Sequence, residues 1–180
     1  MSSHSNRPAG GKRQLGKILL QRKMVSPAEL ESALSQQRRT PTPVPIASQL
    51  VDDGVVPEEA ALLALSEQTG VPAVDVTQSV VAAAHLSCIP RAAAEALQIL
   101  PLAVDGEAVI LAMADPSNRK AIDEVEFATG KAVRPRVALH SALAAAITGA
   151  YDAKAAGESC YRGPKAPAAL TDSAALRNRS

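Results

Sequence analysis

The chain has 180 residues, a formal net charge of +1 and 47% hydrophobic residues, which indicates a globular protein of one domain or two small ones. Residues 1–13 and 153–180 each carry a net charge of +3, which leaves −5 on residues 14–152. An acidic body excludes a nucleic-acid polymer as the main partner. The sequence contains neither a signal peptide nor an apolar run long enough to span a bilayer. We therefore expect no membrane insertion and a cytoplasmic location.

The first half of the chain predicts four helices between polar segments. Residues 1–13 are polar and contain glycine and proline, so they are predicted to be a disordered basic tail. A connector that contains Pro41, Pro43 and Pro45 separates two helix pairs and is expected to be extended. The predicted helices span 14–23, 27–38, 46–53 and 57–69.

The two helix pairs are copies of one unit, because the second repeats the apolar pattern of the first 31 residues later. Ser26, Pro27 and Glu29 form a capping-box pattern that predicts where the second helix begins. Gly54 can take the positive φ that closes the third helix, and Pro57 begins the fourth. In the alignment of the copies, Leu15 falls on Ile46, Leu19 on Leu50, Leu20 on Val51, Leu34 on Leu65 and Gln37 on Gln68.

The second half changes from helical to mixed patterning. Asp105 and Gly106 form a turn between two apolar runs and predict a β-hairpin. Ser141 is predicted to cap a last helix that ends near Tyr151, and residues 153–180 are predicted to be a disordered tail. The other predicted elements are helices over 79–86, 91–98 and 118–129 and a third strand over 131–139. The fold class is therefore α+β, with a helical part 14–70 and a three-stranded α/β part 71–152.

The sequence contains no pattern typical of an enzyme. It has no GxxxxGK[ST] phosphate-binding loop, no GxSxG, HExxH or GxGxxG motif, and no histidine or cysteine spacing that predicts a metal site. Cys88 lies in an apolar run and is interpreted as a core residue. Asp115 precedes Pro116 between a strand and a helix, and we favour a turn residue that caps the helix over a functional residue. We expect no enzymatic activity, no metal and no cofactor.

The first repeat resembles the 24-residue motif of the MshEN domain, the N-terminal module of type II secretion and type IV pilus assembly ATPases. The motif residues in this chain are Leu15, Gly16, Leu19, Leu30, Leu34 and Gln37. That family carries two such motifs in tandem, as this chain does. The resemblance continues through the predicted hairpin and covers about residues 14–152.

The resemblance implies that cyclic di-GMP is a possible ligand, since the tandem motifs of the family bind this two-fold symmetric dinucleotide. Leucines would give apolar surface to the guanines, and Gly16 would let the backbone approach a phosphate at a helix start. Arg13 is one residue out of register with the family's leading arginine and could replace it. The implied ligand-binding residues are Arg13, Gln14, Leu15, Gly16, Leu19, Leu30, Leu34, Gln37, Ile46, Ala47, Leu50, Leu65, Gln68 and Asp115.

The chain departs from the family pattern where charge is needed. The leading arginine of the motif is Gln14 in the first copy and Pro45 in the second, and the second copy has Ile46 and Ala47 in place of Leu-Gly. Each lost charge-assisted contact removes roughly 1.5–3 kcal/mol. We therefore predict a non-enzymatic adaptor or regulatory module that docks on a protein component of a secretion, pilus or motility apparatus. The alternative is a cyclic di-GMP receptor.

Overall fold

Within residues 10–167, helices fill the first part and the first strand begins at Val80, so the α+β fold class is confirmed. The computed structural model describes the backbone of residues 10–167 and the side chains of residues 15–167. The chain forms two compact units that divide between Gly70 and Val71. We call them the repeat unit and the α/β unit.

The repeat unit consists of two helical hairpins, and α1 packs on α4, α2 on α3 and α3 on α4. Its first helix begins before the predicted start, so the expected disorder of the basic tail is wrong for residues 10–13, while residues 1–9 lie outside the described residues. Buried Leu15 and Leu19 anchor that helix, and extending an existing helix costs far less than nucleating one. The helices are α1 (Gly10–Gln21), α2 (Pro27–Arg39), α3 (Ile46–Asp52) and α4 (Glu58–Thr69).

The capping box predicted at Ser26 is present at the start of α2. The Ser26 backbone N–H donates to the Glu29 carboxylate at 2.8 Å, and the Glu29 backbone N–H donates to Ser26 Oγ at 3.3 Å. The backbone hydrogen bond from Ser26, together with one that the Ser26 hydroxyl donates to the same carboxylate at 2.8 Å, lowers the pKa of the Glu29 carboxyl. The two backbone N–H groups of the capping box gain partners that the start of a helix otherwise lacks.

Both helical hairpins turn in the same way. Lys23 and Gly54 occupy equivalent positions of the 31-residue repeat, and both have positive φ, +54° and +72°. The next residue in each copy donates its backbone N–H at 2.9 Å to the carbonyl of an equivalent leucine, Leu19 or Leu50. Sequence reasoning found the turn at Gly54 and missed the one at Lys23, because lysine rarely adopts this conformation.

The α/β unit contains two small sheets. Strands β2 and β3 form the predicted antiparallel hairpin, and β4 pairs in parallel with β3 after the α7 crossover. A second sheet, which the sequence analysis did not predict, pairs β1 with β5 antiparallel. The elements are β1 (Val80–Ala82), α5 (Ala83–Leu86), α6 (Arg91–Leu97), β2 (Ile99–Asp105), β3 (Ala108–Met113), α7 (Arg119–Thr129), β4 (Ala132–Val137), α8 (His140–Ala155) and β5 (Cys160–Arg162).

Three local predictions in the α/β unit are wrong. Residues 80–82 are a strand rather than part of a helix, because β5 provides them with a pairing partner. The last helix begins at His140 with Leu139 as N-cap, so Ser141 lies inside the helix and does not cap it. The tail expected to be disordered from residue 153 is ordered through residue 167, because it completes α8 and then pairs with β1. Residues 168–180 lie outside the described residues.

Small aliphatic side chains form the core of the α/β unit, as the near absence of aromatic residues predicts. Tyr151 adds a buried polar anchor, because its hydroxyl donates to the Ile89 carbonyl at 2.6 Å. Burial, with a smaller contribution from Cys88, raises the pKa of Tyr151 to about 12. The largest fully buried core residues are Val76, Val81, Leu86, Ile99, Leu100, Leu111, Met113, Leu143 and Ile147. Among the helices in the described part of the chain, none combines the length and apolar character needed to cross a bilayer.

The matched turns predict opposite effects of two substitutions. Replacing Lys23 with glycine should stabilise the protein by up to about 1 kcal/mol, because the left-handed conformation no longer crowds a Cβ. Gly54→Ala should destabilise it by a similar amount, since the same crowding is introduced. Urea unfolding of the two variants beside the wild type measures both effects. A Lys23→Gly variant less stable than the wild type would contradict the shared turn geometry.

Candidate functional site

The candidate ligand-binding residues of the first repeat lie largely inside the repeat unit. Leu15 is 3% exposed and Leu19 is 1% exposed, and Leu30 is also buried. Leu34 is half-buried. The leucines of the motif therefore stabilise the helical hairpin, and little of their surface is available to a guanine ring.

Gly16 has a packing role that the sequence analysis did not predict. It lies in the second turn of α1, so its expected place at a helix start is wrong. A Cβ built at Gly16 would lie 3.1 Å from Leu30 Cδ2. Glycine at this position leaves room for the Leu30 side chain against the backbone of α1.

The candidate residues of the second copy are buried to a similar degree. Ile46 and Ala47 are each 2% exposed, and Leu50 is fully buried. Leu65 and Gln68 are half-buried on α4. This copy therefore contributes mainly to the core of the repeat unit.

Buried glutamine side chains hold the connector and the two hairpins in place. Gln37 is 8% exposed, and its Nε2 donates to the Val44 carbonyl at 2.5 Å. Gln49 Nε2 donates to the Ala33 carbonyl at 3.2 Å and joins the first repeat to the second. The terminal glutamine of the first motif therefore binds backbone, which satisfies a buried carbonyl.

A shallow groove of about 280 Å³ lies on the outer surface of α1 and α2. It combines apolar side chains with a cation, because Arg38 follows Leu34 by four residues and shares its helix face. Among the described residues, no carboxylate pairs with Arg38. The sequence analysis did not include Arg38 as a site residue, although its spacing from Leu34 was a usable signal. The groove is lined by Leu20, Pro27, Leu30, Glu31, Leu34, Ser35 and Arg38.

Two of the candidate residues, Leu30 and Leu34, line the groove, and three of the others have no described side chain in the repeat unit. The side chains of Arg13 and Gln14 lie outside the described residues, although their backbone belongs to α1. Asp115 lies in the α/β unit, where its carboxylate accepts hydrogen bonds from the Ser117 backbone at 3.0 Å and from the Ser117 hydroxyl. It is a turn residue, as expected, but it does not cap α7. The cap is Asn118, whose Oδ1 accepts the Ala121 N–H at 3.2 Å.

Comparison with protein families identifies the second part of the chain. Residues 69–157 match the family model described as the MshEN domain. The chain contains an MshEN domain. The match begins at the end of α4, so it covers most of the α/β unit and does not include the two helical hairpins that precede it.

Two curated relatives are type IV pilus assembly ATPases that are much longer than this chain. The type IV pilus assembly ATPase PilB of Myxococcus xanthus is 31% identical over 141 residues, which cover 78% of this chain and 25% of that protein. PilB of Thermus thermophilus is 28% identical over 143 residues, which cover 78% of this chain and 16% of that protein. The chain therefore spans a quarter or less of the length of these relatives.

Two solved structures have the same fold. The structure of MshE with cdg has a TM-score of 0.55 and 24% identity, and the alignment covers 74% of this chain and 96% of that chain. The N-terminal domain of XpsE has a TM-score of 0.51 and 23% identity, with 77% and 94% covered. The chain therefore has the fold that is seen in MshE and in the N-terminal domain of XpsE.

The packing role of Gly16 predicts a loss of stability that does not depend on any ligand. Gly16→Val should reduce the free energy of unfolding by about 1–3 kcal/mol, because the added methyl groups overlap the Leu30 side chain. Lys17→Val is the matched control on the same helix, since Lys17 is exposed and the change should cost only about 0.5 kcal/mol of helix propensity. Chemical unfolding of both variants tests the prediction. Equal stability of the two variants would contradict it.

Proposed function

We propose that this protein is a non-enzymatic adaptor or regulatory module that docks on a secretion, pilus or motility assembly. The observation that carries the proposal is the burial of the motif leucines, since Leu15, Leu19 and Leu50 are at most 3% exposed. Because these side chains form the core of the repeat unit, little of their surface can contact a ligand, and the repeat unit acts as a scaffold. The relatives are named as pilus assembly ATPases, which supports this class of assembly and a cytoplasmic location beside it.

An exposed aromatic side chain in the α/β unit supports a docking role. Phe127 is the single phenylalanine of the sequence and lies on α7, where it is 94% exposed. Asp123 and Glu124 are exposed one turn earlier on the same helix. An aromatic side chain bordered by charged groups is typical of the residues that dominate protein–protein binding energy.

The docking role predicts that replacing Phe127 removes function without lowering stability. Phe127→Ser should leave the melting temperature unchanged, because a side chain that is 94% exposed contributes little to the core. In a bacterial strain that lacks this protein, the wild-type chain should restore pilus assembly or protein secretion, and Phe127→Ser should not. Ala128→Ser, at the next exposed position of α7, is the control and should restore function. Full rescue by Phe127→Ser would remove Phe127 from the docking surface, and an unaffected deletion strain would contradict the adaptor function itself.

The proposal includes the absence of ATP turnover, because the sequence has no loop that could hold a triphosphate. Purified protein should neither hydrolyse ATP nor bind it tightly, as measured by phosphate release and equilibrium dialysis. ATP turnover that remains after repurification, and that is lost when a residue of this chain is replaced, would contradict it.

A second candidate function is a cyclic di-GMP receptor. The similarity in fold to MshE, solved with cdg, and the groove beside Arg38 favour it. Cavities that hold small-molecule ligands usually measure roughly 300–1,000 Å³, so a groove of about 280 Å³ suits one guanine ring better than the whole dinucleotide. We therefore expect weak binding, in the micromolar range or weaker.

Calorimetric titration with cyclic di-GMP separates the two functions. Gln14→Arg should tighten binding about tenfold or more if it restores one charged hydrogen bond of roughly 1.5 kcal/mol. Gln21→Arg adds the same charge at an exposed position of α1 and is the matched control. Nanomolar binding by the wild type would favour the receptor. No binding by Gln14→Arg at millimolar ligand would leave the repeat as scaffold alone.

A further inference from the structure

The end of the described chain lies along the surface of the α/β unit as an extended segment. We call residues 158–166 the C-terminal strap. It follows Gly157, whose φ of +82° turns the chain out of α8, and it runs antiparallel to residues 76–83. The MshEN family match ends at residue 157, so the strap begins where the family domain ends.

Backbone hydrogen bonds hold the strap in place. Its carbonyl at Ser159 accepts the Ala83 N–H at 2.9 Å. Its N–H groups at Gly163 and Lys165 donate to the carbonyls of Ser79 and Thr77 at 2.9 and 2.8 Å. The surface at residues 76–83 therefore recognises an extended backbone, as sheet edges do when they bind a peptide strand.

Two alternate residues of the strap, Tyr161 and Gly163, contact different parts of the α/β unit. The Tyr161 ring packs on Gly149 of α8, where an ideal Cβ would lie 2.6 Å from a ring carbon. Two residues later, a Cβ at Gly163 would lie 2.1 Å from the Thr77 carbonyl oxygen, so only glycine fits there without a shift of the backbone. Positions i and i+2 of a strand face the same side, which explains why these two residues contact the unit.

The strap ends in a turn, because the Ala166 N–H donates to the Gly163 carbonyl at 3.0 Å. Lys165 lies in this turn and adds charge. Partial burial raises the pKa of Asp75, but the hydrogen bonds from Thr77 and Gln78 and the positive charge of Lys165 outweigh that effect and hold the pKa below its usual value. Asp75 Oδ1 accepts the Thr77 N–H at 2.9 Å. The surface thus presents an aromatic contact and a glycine position to alternate residues of the strap.

We propose that residues 76–83 form a strand-accepting site, occupied in this structure by the protein's own strap. The same site accepts an extended segment of a partner protein with an aromatic residue and, two positions later, a glycine. The strap contains a strand of only three residues that is preceded by exposed Glu158 and Ser159, and a short strand at the surface opens at a lower free-energy cost than the core. The site lies in the α/β unit, and the inference does not depend on the class of assembly on which the protein docks.

The test uses the full chain and a fluorescent peptide with the sequence of residues 157–167 as the probe. Gly163→Ala should release the strap, because its Cβ would overlap the Thr77 carbonyl. The variant should then bind the peptide at least about tenfold tighter than the wild type, in which the tethered strap competes at an effective concentration of millimolar order. Fluorescence anisotropy measures the affinity. Hydrogen exchange at Ala83 reports the strap, with faster exchange expected in the variant and wild-type protection restored by the peptide.

Two controls define the recognition chemistry. Arg162→Ala in the full chain changes an exposed residue between the two contact positions, so the strap should stay seated and the peptide should bind as weakly as to the wild type. A peptide with Gly163→Ala should lose binding to the released site, because its added Cβ would overlap the Thr77 carbonyl. Equal affinity of the peptide for wild type and Gly163→Ala would overturn the proposal. If Gly163→Ala and Tyr161→Ala both abolish cooperative unfolding, the strap is an integral part of the fold and the proposal is wrong.

Discussion

The contact between Gly16 and Leu30 decides what the first repeat can do. Because residue 16 has no side chain, the Leu30 side chain of α2 packs against the backbone of α1 at the glycine. Leu15 and Leu19 on the same helix are then buried. A leucine that fills a close-packed core cannot also present its surface to a ligand without opening the hairpin. The leucine spacing of the binding motif is also the spacing that packs a helical hairpin. In this chain most of the motif leucines are buried in that packing.

Because these leucines are buried, any ligand of the first repeat would contact the outer surface of α1 and α2. There the groove keeps the half-buried Leu34, and its cation is Arg38 at the end of α2. An arginine can donate two hydrogen bonds to a guanine edge or a phosphate, so its position decides which part of a dinucleotide it reaches. A groove with one such donor suits half of a symmetric ligand. The second copy exposes less surface to the other half, because its leading motif residues are buried.

Features determined by neighbouring residues were predictable from the sequence, and features determined by distant contacts were not. The capping box at Ser26 and the turn at Gly106 depend on a few adjacent residues, and both were found. Strand β5 was missed because Cys160–Arg162 has no strand pattern of its own and is extended only because β1 pairs with it. Ligand-binding residues are hard to predict for a different reason, since apolar spacing at Leu15 and Leu19 is the same for a core and for a ligand surface.

The MshEN family model and the candidate ligand residues cover different parts of this chain. The MshEN match covers residues 69–157, whereas all but one of the candidate ligand residues lie before residue 69. The α/β unit has its own core, built from Val81, Leu111 and Ile147 among others, so its fold does not require the repeats to keep a ligand site. Substitutions such as Ile46 and Ala47 in the second motif preserve apolar packing while they remove the Leu-Gly pattern. The α/β unit can therefore retain its architecture while the repeats lose or change a ligand, because none of the candidate ligand residues belongs to its core.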